Sequence, residues 1–184
     1  MSLHNLKIDR SWTLFLDRDG VINRRIADAY VKSWDQFEFL PDVPEAVKML
    51  SRVFGKIIVV SNQQGIGKGL MTETDLQSIH HRMTGEIGQA GGKIDAVFFS
   101  PHLKSDGSVM RKPNIGMALK ARKQFPDIGF KRSVMAGDSL SDMIFGKRAG
   151  MKTVLISSDT AIAKQHASQI DYLYPDLISF ANAL

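Results

Sequence analysis

Five short apolar runs alternate with stretches of helical spacing, and this alternation constrains the 184-residue chain more than any other feature. The runs are Trp12–Leu16, Lys56–Val60, Ala96–Phe99, Ser133–Ala136 and Thr153–Ile156. Strands this short and this apolar suit a parallel sheet covered on both faces, with helices as the right-handed crossovers. Helix starts and stops support the pattern. Pro41-Asp42 precedes Val43, Val47 and Leu50, and Thr72 with Asp75 forms a capping pattern before Leu76, Ile79 and Met83. Pro113 opens a segment carrying Ile115, Leu119 and Ala121 that Pro126 stops, and Ser139 to Ala149 closes on Gly150. Tyr172–Tyr174 reads as a last short strand before a final helix. The expected fold is α/β: a three-layer, doubly wound, Rossmann-like and mainly parallel sheet. A single domain over residues 1–184 is expected, since neither repeat nor linker interrupts the pattern.

Open sheets of this kind place their chemistry at the carboxyl ends of the strands. Asp17-Arg18-Asp19-Gly20 follows the first run directly. Two carboxylates two residues apart on an extended chain point to one side, and they repel unless a cation or a shared proton relieves them. That predicts a metal, a proton-transfer role, or both. Ser61-Asn62-Gln63 follows the second run, Arg111-Lys112-Pro113 opens a helix, and Gly137-Asp138-Ser139-Leu140-Ser141-Asp142 follows the fourth run. The longest irregular stretches, Asn23–Leu40 and Ser100–Arg111, each follow a strand. Both are therefore expected over the same edge, where loops recognise substrate.

Composition narrows the partners. The formal charge of +5 favours anions such as phosphate esters or nucleic acid, but no Lys/Arg block marks a nucleic-acid surface. No apolar run approaches the ~20 residues of a membrane span, and no membrane partner is expected. The chain has no cysteine, which excludes disulfides and thiolate metal sites and fits the expected cytoplasmic location. A monomer is expected.

Taken in order, these four strand-end segments resemble the haloacid dehalogenase (HAD) superfamily of phosphotransferases over roughly Trp12 to Ile156. Within it the chain is most similar to the heptose 1,7-bisphosphate phosphatases and the related histidinol-phosphate phosphatases. The narrower match rests on Phe15 through Asn23, Phe37-Glu38-Phe39, Ser61 through Ile66, Pro101-His102, Arg111-Lys112-Pro113 and Gly137 through Asp142. The resemblance implies a Mg²⁺-dependent phosphomonoesterase with no large cap domain. Its expected partner is a small phosphorylated metabolite, and the expected substrate a sugar bisphosphate, D-glycero-D-manno-heptose 1,7-bisphosphate. The alternatives are histidinol phosphate, another small phosphate ester, or a nucleic-acid 3′-phosphate. A non-catalytic binding module is not expected, because Asp17, Asp19, Lys112 and Asp138 are all kept.

The resemblance assigns Asp17 as the nucleophile that forms an aspartyl-phosphate. It assigns Asp19 as the acid and base, with a pKa raised by its carboxylate neighbour. Asp17 and Asp138, with the backbone carbonyl of Asp19, are the implied Mg²⁺ ligands. Ser61 and Lys112 are implied to hold the transferring phosphoryl group, and Asp142 to orient Lys112 or a metal-bound water. Asn62 and Gln63, Arg111, and the loop residues Arg25, Asp28 and Tyr30 are the candidate substrate contacts.

Many relatives carry a cysteine-rich zinc loop before the Arg-Lys-Pro element. Here only His102 of those four ligands survives, so no structural zinc is expected, and turn chemistry around Ser105-Asp106-Gly107 is expected to replace it. Gly65 to Gly69 hints at a nucleotide phosphate loop but lacks the Ser/Thr after Lys68, and reads as a glycine-rich turn. His80 and His81, adjacent on a helix, face different directions and read as a solvated face rather than a metal pair.

Overall fold

The computed structural model describes residues 6–184. Residues 1–5 of the expected domain lie outside the described residues. Six parallel strands form one sheet in the order β3-β2-β1-β4-β5-β6. They are β1 (Thr13–Leu16), β2 (Lys56–Asn62), β3 (Ala96–Ser100), β4 (Ser133–Gly137), β5 (Lys152–Ile156) and β6 (Tyr172–Tyr174). The helices are α1 (Val43–Val53), α2 (Gln64–Gly67), α3 (Glu73–Gln89), α4 (Gly116–Gln124), α5 (Leu140–Ala149), α6 (Thr160–Gln165) and α7 (Leu177–Asn182). All five apolar runs and the short final strand therefore form, and β2 continues two residues further, through Ser61 and Asn62.

Strand alternation divides the core into two layers. Leu14, Leu16, Ile57, Val59, Val134 and Ala136 pack on one face with α1, α3 and α7. Phe15, Ile58, Val60 and Met135 pack on the other with α4 and α5. Both faces are covered, so the strand interiors need no polar alternation.

The caps follow the sequence signals. Thr72 and Asp75 close a capping box on α3, Ser139 and Asp142 close another on α5, and Gly150 ends α5 at φ 84°. The start of α1 differs: Asp42 at the N-cap is left-handed and its side chain makes no cap bond. The helix after Lys112 begins at Gly116, because residues 111–115 form a turn first.

From β1 the chain moves to β2 and β3 on one side, then crosses to β4 on the other. The switch point thus lies between β1 and β4, where ligands bind in open α/β sheets. Thr13 to Leu16 pair in register with Ser133 to Ala136, which brings the two strand ends level. Between β1 and α1 the chain forms only one short 3-10 turn, Trp34–Gln36, and isolated bridges at Asn23, so no large cap is inserted there. Among the described residues no helix is long and apolar enough to cross a membrane.

Candidate active site

A 520 Å³ cavity opens over the carboxyl ends of β1 and β2. Its wall includes Asp17, Asp19, Ser61, Asn62, Gln63 and Lys112, and it extends to the loop residues Arg25, Asp28, Tyr30 and Arg111. All four strand-end segments named from the sequence thus contribute lining residues, the fourth through Ser139 and Ser141 and not through Asp138 or Asp142. Those two acids stand just behind the wall.

Asp17 sits one residue past β1, with its backbone N–H donating to Ala136 of β4 at 3.0 Å. Its Oδ1 accepts the Arg18 backbone N–H at 2.7 Å and faces the Lys112 ammonium at 2.9 Å. Lys112 also meets Asp142 Oδ1 at 2.6 Å and donates to the Val60 carbonyl at 2.7 Å. One N–H is spent on Val60, and the two carboxylates flank the ammonium as ion pairs. Burial alone would lower the Lys112 pKa; Asp142 and Asp17 overrule it and raise it. Lys112 is therefore a fixed buried charge rather than a free donor, which refines its expected part in holding a phosphoryl group.

Asp17, Asp138 and Asp142 bring one carboxylate oxygen each within 4.8 Å of one another. Burial first, then the charges of Asp142 and Asp138, push the Asp17 carboxyl up to about 8 against the pull of Lys112. Burial also pushes Asp138 up to about 6, although Arg25 opposes it. Acids that hold protons this tightly mark a site with more negative charge than its one buried ammonium balances. Glycines make the close approach possible. A Cβ on Gly20 would stand 1.9 Å from Asp138 Oδ2, and Gly20 is left-handed at φ +91°. A Cβ on Gly137 would stand 2.3 Å from Asp142 Cβ. The donor set is all oxygen and anionic, and it fits a hard divalent cation such as Mg²⁺.

Arg25 tests that fit. Its Nη2 donates to Asp138 Oδ1 at 2.9 Å and to the Asp19 carbonyl at 3.2 Å. Two of the three oxygens assigned to the metal thus already converge on a cationic group. Arg25 therefore pairs with the acids while still lining the cavity beside Asp28 and Tyr30.

Asp19 differs from expectation. Burial would raise its pKa, but Arg18, Asn23 and Gln63 overrule it and hold the carboxyl below its ordinary value. Arg18 donates from Nη2 to both Asp19 oxygens, at 2.9 and 3.0 Å, while Asn23 Nδ2 and Gln63 Nε2 reach them at 3.0 and 2.7 Å. Of these two acids, the one with a raised pKa is Asp17.

Asn62 and Gln63 also prove to be engaged. Asn62 clamps the Lys112 backbone, donating to its carbonyl at 3.1 Å and accepting its N–H at 3.0 Å. Gln63 spends its amide hydrogens on Asp19 and on Ser61 Oγ, the latter at 2.7 Å. Gln63 has no amide hydrogen left for a substrate, whereas Asn62 keeps one N–H in the cavity wall. Ser61 only accepts in that bond, so its own O–H remains available to the cavity. Tyr30 Oη accepts from Gln64 at 2.8 Å. Arg111 uses one N–H, from Nη1 to the His102 carbonyl at 3.1 Å, which leaves most of its donor fork free.

Two further groups appear. Lys68 lines the cavity with its ammonium 5.3 Å from the Tyr30 ring centre. His80, read from the sequence as solvated, is buried, and its Nε2 lies 3.2 Å from Arg18 Nη1. Arg18 is fully buried, so its guanidinium needs partners on both sides: Asp19 on one, His80 on the other. The signal was present, because His80 lies four residues after Leu76 and three before Met83, on the apolar stripe of α3.

The loop before Arg111 holds itself by hydrogen bonds. Asp106 Oδ2 accepts the Leu103 N–H at 2.8 Å, Gly107 is left-handed at φ 60°, and Asn114 donates to the Ser108 carbonyl at 3.0 Å. His102 Nδ1 stands 3.9 Å from Asp106 Oδ2.

Comparison with known proteins agrees with the geometry. Residues 109–180 match the family model described as HAD-hydrolase-like. A D-glycero-alpha-D-manno-heptose-1,7-bisphosphate 7-phosphatase of Mycobacterium bovis is 43% identical over 132 residues, covering 72% of this chain and 70% of the relative. A D-glycero-D-manno-heptose-1,7-bisphosphate 7-phosphatase of Thermosynechococcus vestitus is 33% identical over 180 residues, covering 89% of this chain and 90% of the relative. The crystal structure of D,D-heptose 1,7-bisphosphate phosphatase from B. bronchiseptica, complexed with magnesium and phosphate, superposes with a TM-score of 0.81 at 30% identity. That match covers 93% of this chain and 96% of the other.

Proposed function

The chain belongs to the HAD-like phosphatases of the heptose-1,7-bisphosphate phosphatase family, and from that premise we propose that it removes one phosphate from a sugar bisphosphate through an aspartyl-phosphate on Asp17. D-glycero-D-manno-heptose 1,7-bisphosphate is the leading substrate. The observation that carries the reading is the Asp17 carboxylate, paired with Lys112 and lining a cavity that Lys68 and Arg111 also line. Reacting carboxylate and distal cations suit a substrate with a phosphate at each end.

Asp17 attacks phosphorus, a bond forms from its carboxylate oxygen, and the bond to the leaving alkoxide breaks. Asp19 gives that oxygen a proton. Its carboxylate, ionised in the resting site, takes up that proton from solvent as the anionic phosphate approaches and raises its pKa. In the second step Asp19 takes a proton from water, and the resulting hydroxide attacks phosphorus, releasing phosphate and freeing Asp17. Gln63, Asn23 and Arg18 fix the Asp19 oxygens for both transfers. Ser61 donates its hydroxyl to a phosphoryl oxygen, and Lys112 supplies buried positive charge beside the attacking carboxylate. Asp17, Asp138 and the Asp19 carbonyl would hold Mg²⁺. When bound, the metal supplies neutralisation of the carboxylate and phosphoryl charges.

A phosphate-release panel tests the reading, with heptose 1,7-bisphosphate, histidinol phosphate, a nucleic-acid 3′-phosphate and an aryl phosphate compared at equal concentration. The heptose bisphosphate is expected to lead by at least ~100-fold in kcat/KM over the aryl phosphate, the scale of a few kcal/mol of remote binding. Equal rates on the two would overturn the substrate assignment. Undiminished turnover by Asp17→Asn would overturn the covalent route.

A further inference from the structure

Arg25 makes an unusual choice of partners. It belongs to the segment between β1 and α1, and its side chain is about half exposed, at 53%. A solvated arginine there could point anywhere over the cavity. Instead Nη2 inserts between the Asp138 carboxylate at 2.9 Å and the Asp19 carbonyl at 3.2 Å. Asp138 itself is only 16% exposed and drops out of the cavity wall, while Arg25 forms part of it. The neighbouring Arg24 does the ordinary thing and forks onto exposed Glu38 at 2.8 and 2.9 Å.

We propose that Arg25 is an internal counter-cation of the metal site: its guanidinium and a divalent cation compete for the Asp19 carbonyl and the Asp138 carboxylate. This rests on the reading that Asp17, Asp138 and the Asp19 carbonyl hold the metal. A divalent cation held by these groups repels a guanidinium held by the same groups, which opposes joint occupancy. Metal binding therefore releases Arg25. The freed guanidinium belongs to the same cavity wall as Lys68 and Arg111, so its release adds a forked donor where an anionic substrate binds. Loading the metal and receiving the substrate become coupled, and the coupling is reciprocal.

Calorimetric titration of the protein with Mg²⁺, without substrate, tests this. Arg25→Ala is expected to bind Mg²⁺ about fivefold more tightly than the unmodified chain, the scale of releasing one partly exposed ion pair. The rise in melting temperature on adding Mg²⁺ is expected to be larger in Arg25→Ala, since its metal-free state has lost a cation. Arg24→Ala removes the same formal charge one residue away and is expected to leave the affinity unchanged. An unchanged or weaker Mg²⁺ affinity in Arg25→Ala would overturn the inference. So would an equal gain in Arg24→Ala, which would mark a diffuse charge effect. Asp138→Asn separates the inference from the reading beneath it. If that variant binds Mg²⁺ like the parent, the metal site itself is misassigned. If it loses binding while Arg25→Ala changes nothing, only the counter-cation fails.

Discussion

Lys112 Nζ and Asp142 Oδ1 stand 2.6 Å apart with both side chains essentially out of contact with water. Asp142 has a second task, since its Oδ2 accepts the Ser139 backbone N–H at 3.1 Å and the Ser139 hydroxyl at 2.6 Å, capping α5. One carboxylate therefore fixes the helix that begins at the switch point and the charge beside the nucleophile. Such a residue acts on catalysis through Lys112 and on stability through the cap.

Asp142→Ala leaves a buried ammonium without its main partner and strips the cap from α5. Breaking one side of a buried pair costs on the order of 3–5 kcal/mol. Lys112→Met, which leaves Asp17 and Asp142 facing each other, is expected to cost a similar amount. The double variant is expected to cost clearly less than the two single losses added, because both remove one interaction. Urea unfolding of the three variants checks this. Strict additivity would mean that the two groups do not support each other.

His80 supplies a pH dependence with a definite sign. Burial, followed by the charge of Arg18, pushes its pKa down to about 3. It is neutral in the folded protein and protonates in the unfolded chain near its ordinary value of ~6.5. A depressed folded-state pKa contributes stability that is present above pH ~6.5 and lost as pH falls toward 3, at up to ~1.4 kcal/mol per pH unit. Unfolding free energy measured between pH 7 and pH 4 is expected to drop less steeply in His80→Gln than in the parent. The amide oxygen can still accept from Arg18, so His80→Gln should keep kcat. His80→Leu should lower kcat ~10-fold at unchanged KM, as expected for loss of alignment at a proton-transfer group. Equal kcat in the two variants would reduce His80 to a packing residue.

Legibility in the sequence followed the range of the interactions. The strands were visible because a buried parallel strand is apolar along its whole length, as Ile57 to Val60 is. Asp17 and Asp138 were visible because each directly follows such a run. Partner choice was not. Asn62 and Gln63 look like free amides, yet their partners are Lys112, fifty residues on, and Asp19, forty-four back. The pKa order of Asp17 and Asp19 was read in reverse for the same reason. Spacing shows that two acids are close, but Arg18, which stands between them in sequence, gives its Nη2 to Asp19 and not to Asp17, while burial acts against the charge of Asp17. His80 was misread because its neighbour His81 drew attention to metal pairing, when the apolar stripe of α3 already placed it inside.

The loop from His102 to Asn114 is expected to keep its shape without zinc. Asp106, Gly107 and Asn114 close it through hydrogen bonds and a left-handed turn, and His102 has only a carboxylate at 3.9 Å beside it. Elemental analysis of protein purified without chelator should find well under one zinc per chain. Treatment with a zinc-selective chelator in excess Mg²⁺ should leave the melting temperature where it was, whereas loss of a structural zinc removes much of a small site's folding energy. Stoichiometric zinc, or a fall of more than a few degrees, would contradict this.

Arg111 separates the two ends of a bisphosphate. Its Nη1 bond to the His102 carbonyl holds one side of the guanidinium, and the residue lines the cavity together with Lys68. A pre-held fork suits a phosphate dianion, which it can grip with two parallel bonds. Arg111→Ala removes a contact to the phosphate that does not react, so a heptose 1,7-bisphosphate should lose ~10- to 100-fold in kcat/KM, the range of one charged hydrogen-bonding partner. An aryl phosphate has no second phosphate and should be hydrolysed at nearly the parent rate. Arg111→Lys keeps the charge but not the fork, and should recover only part of the loss. The decisive quantity is the ratio of the two substrates' kcat/KM in each variant. If Arg111→Ala depresses both substrates equally, the side chain serves the reacting phosphate, and the distal end must be held by Lys68 instead.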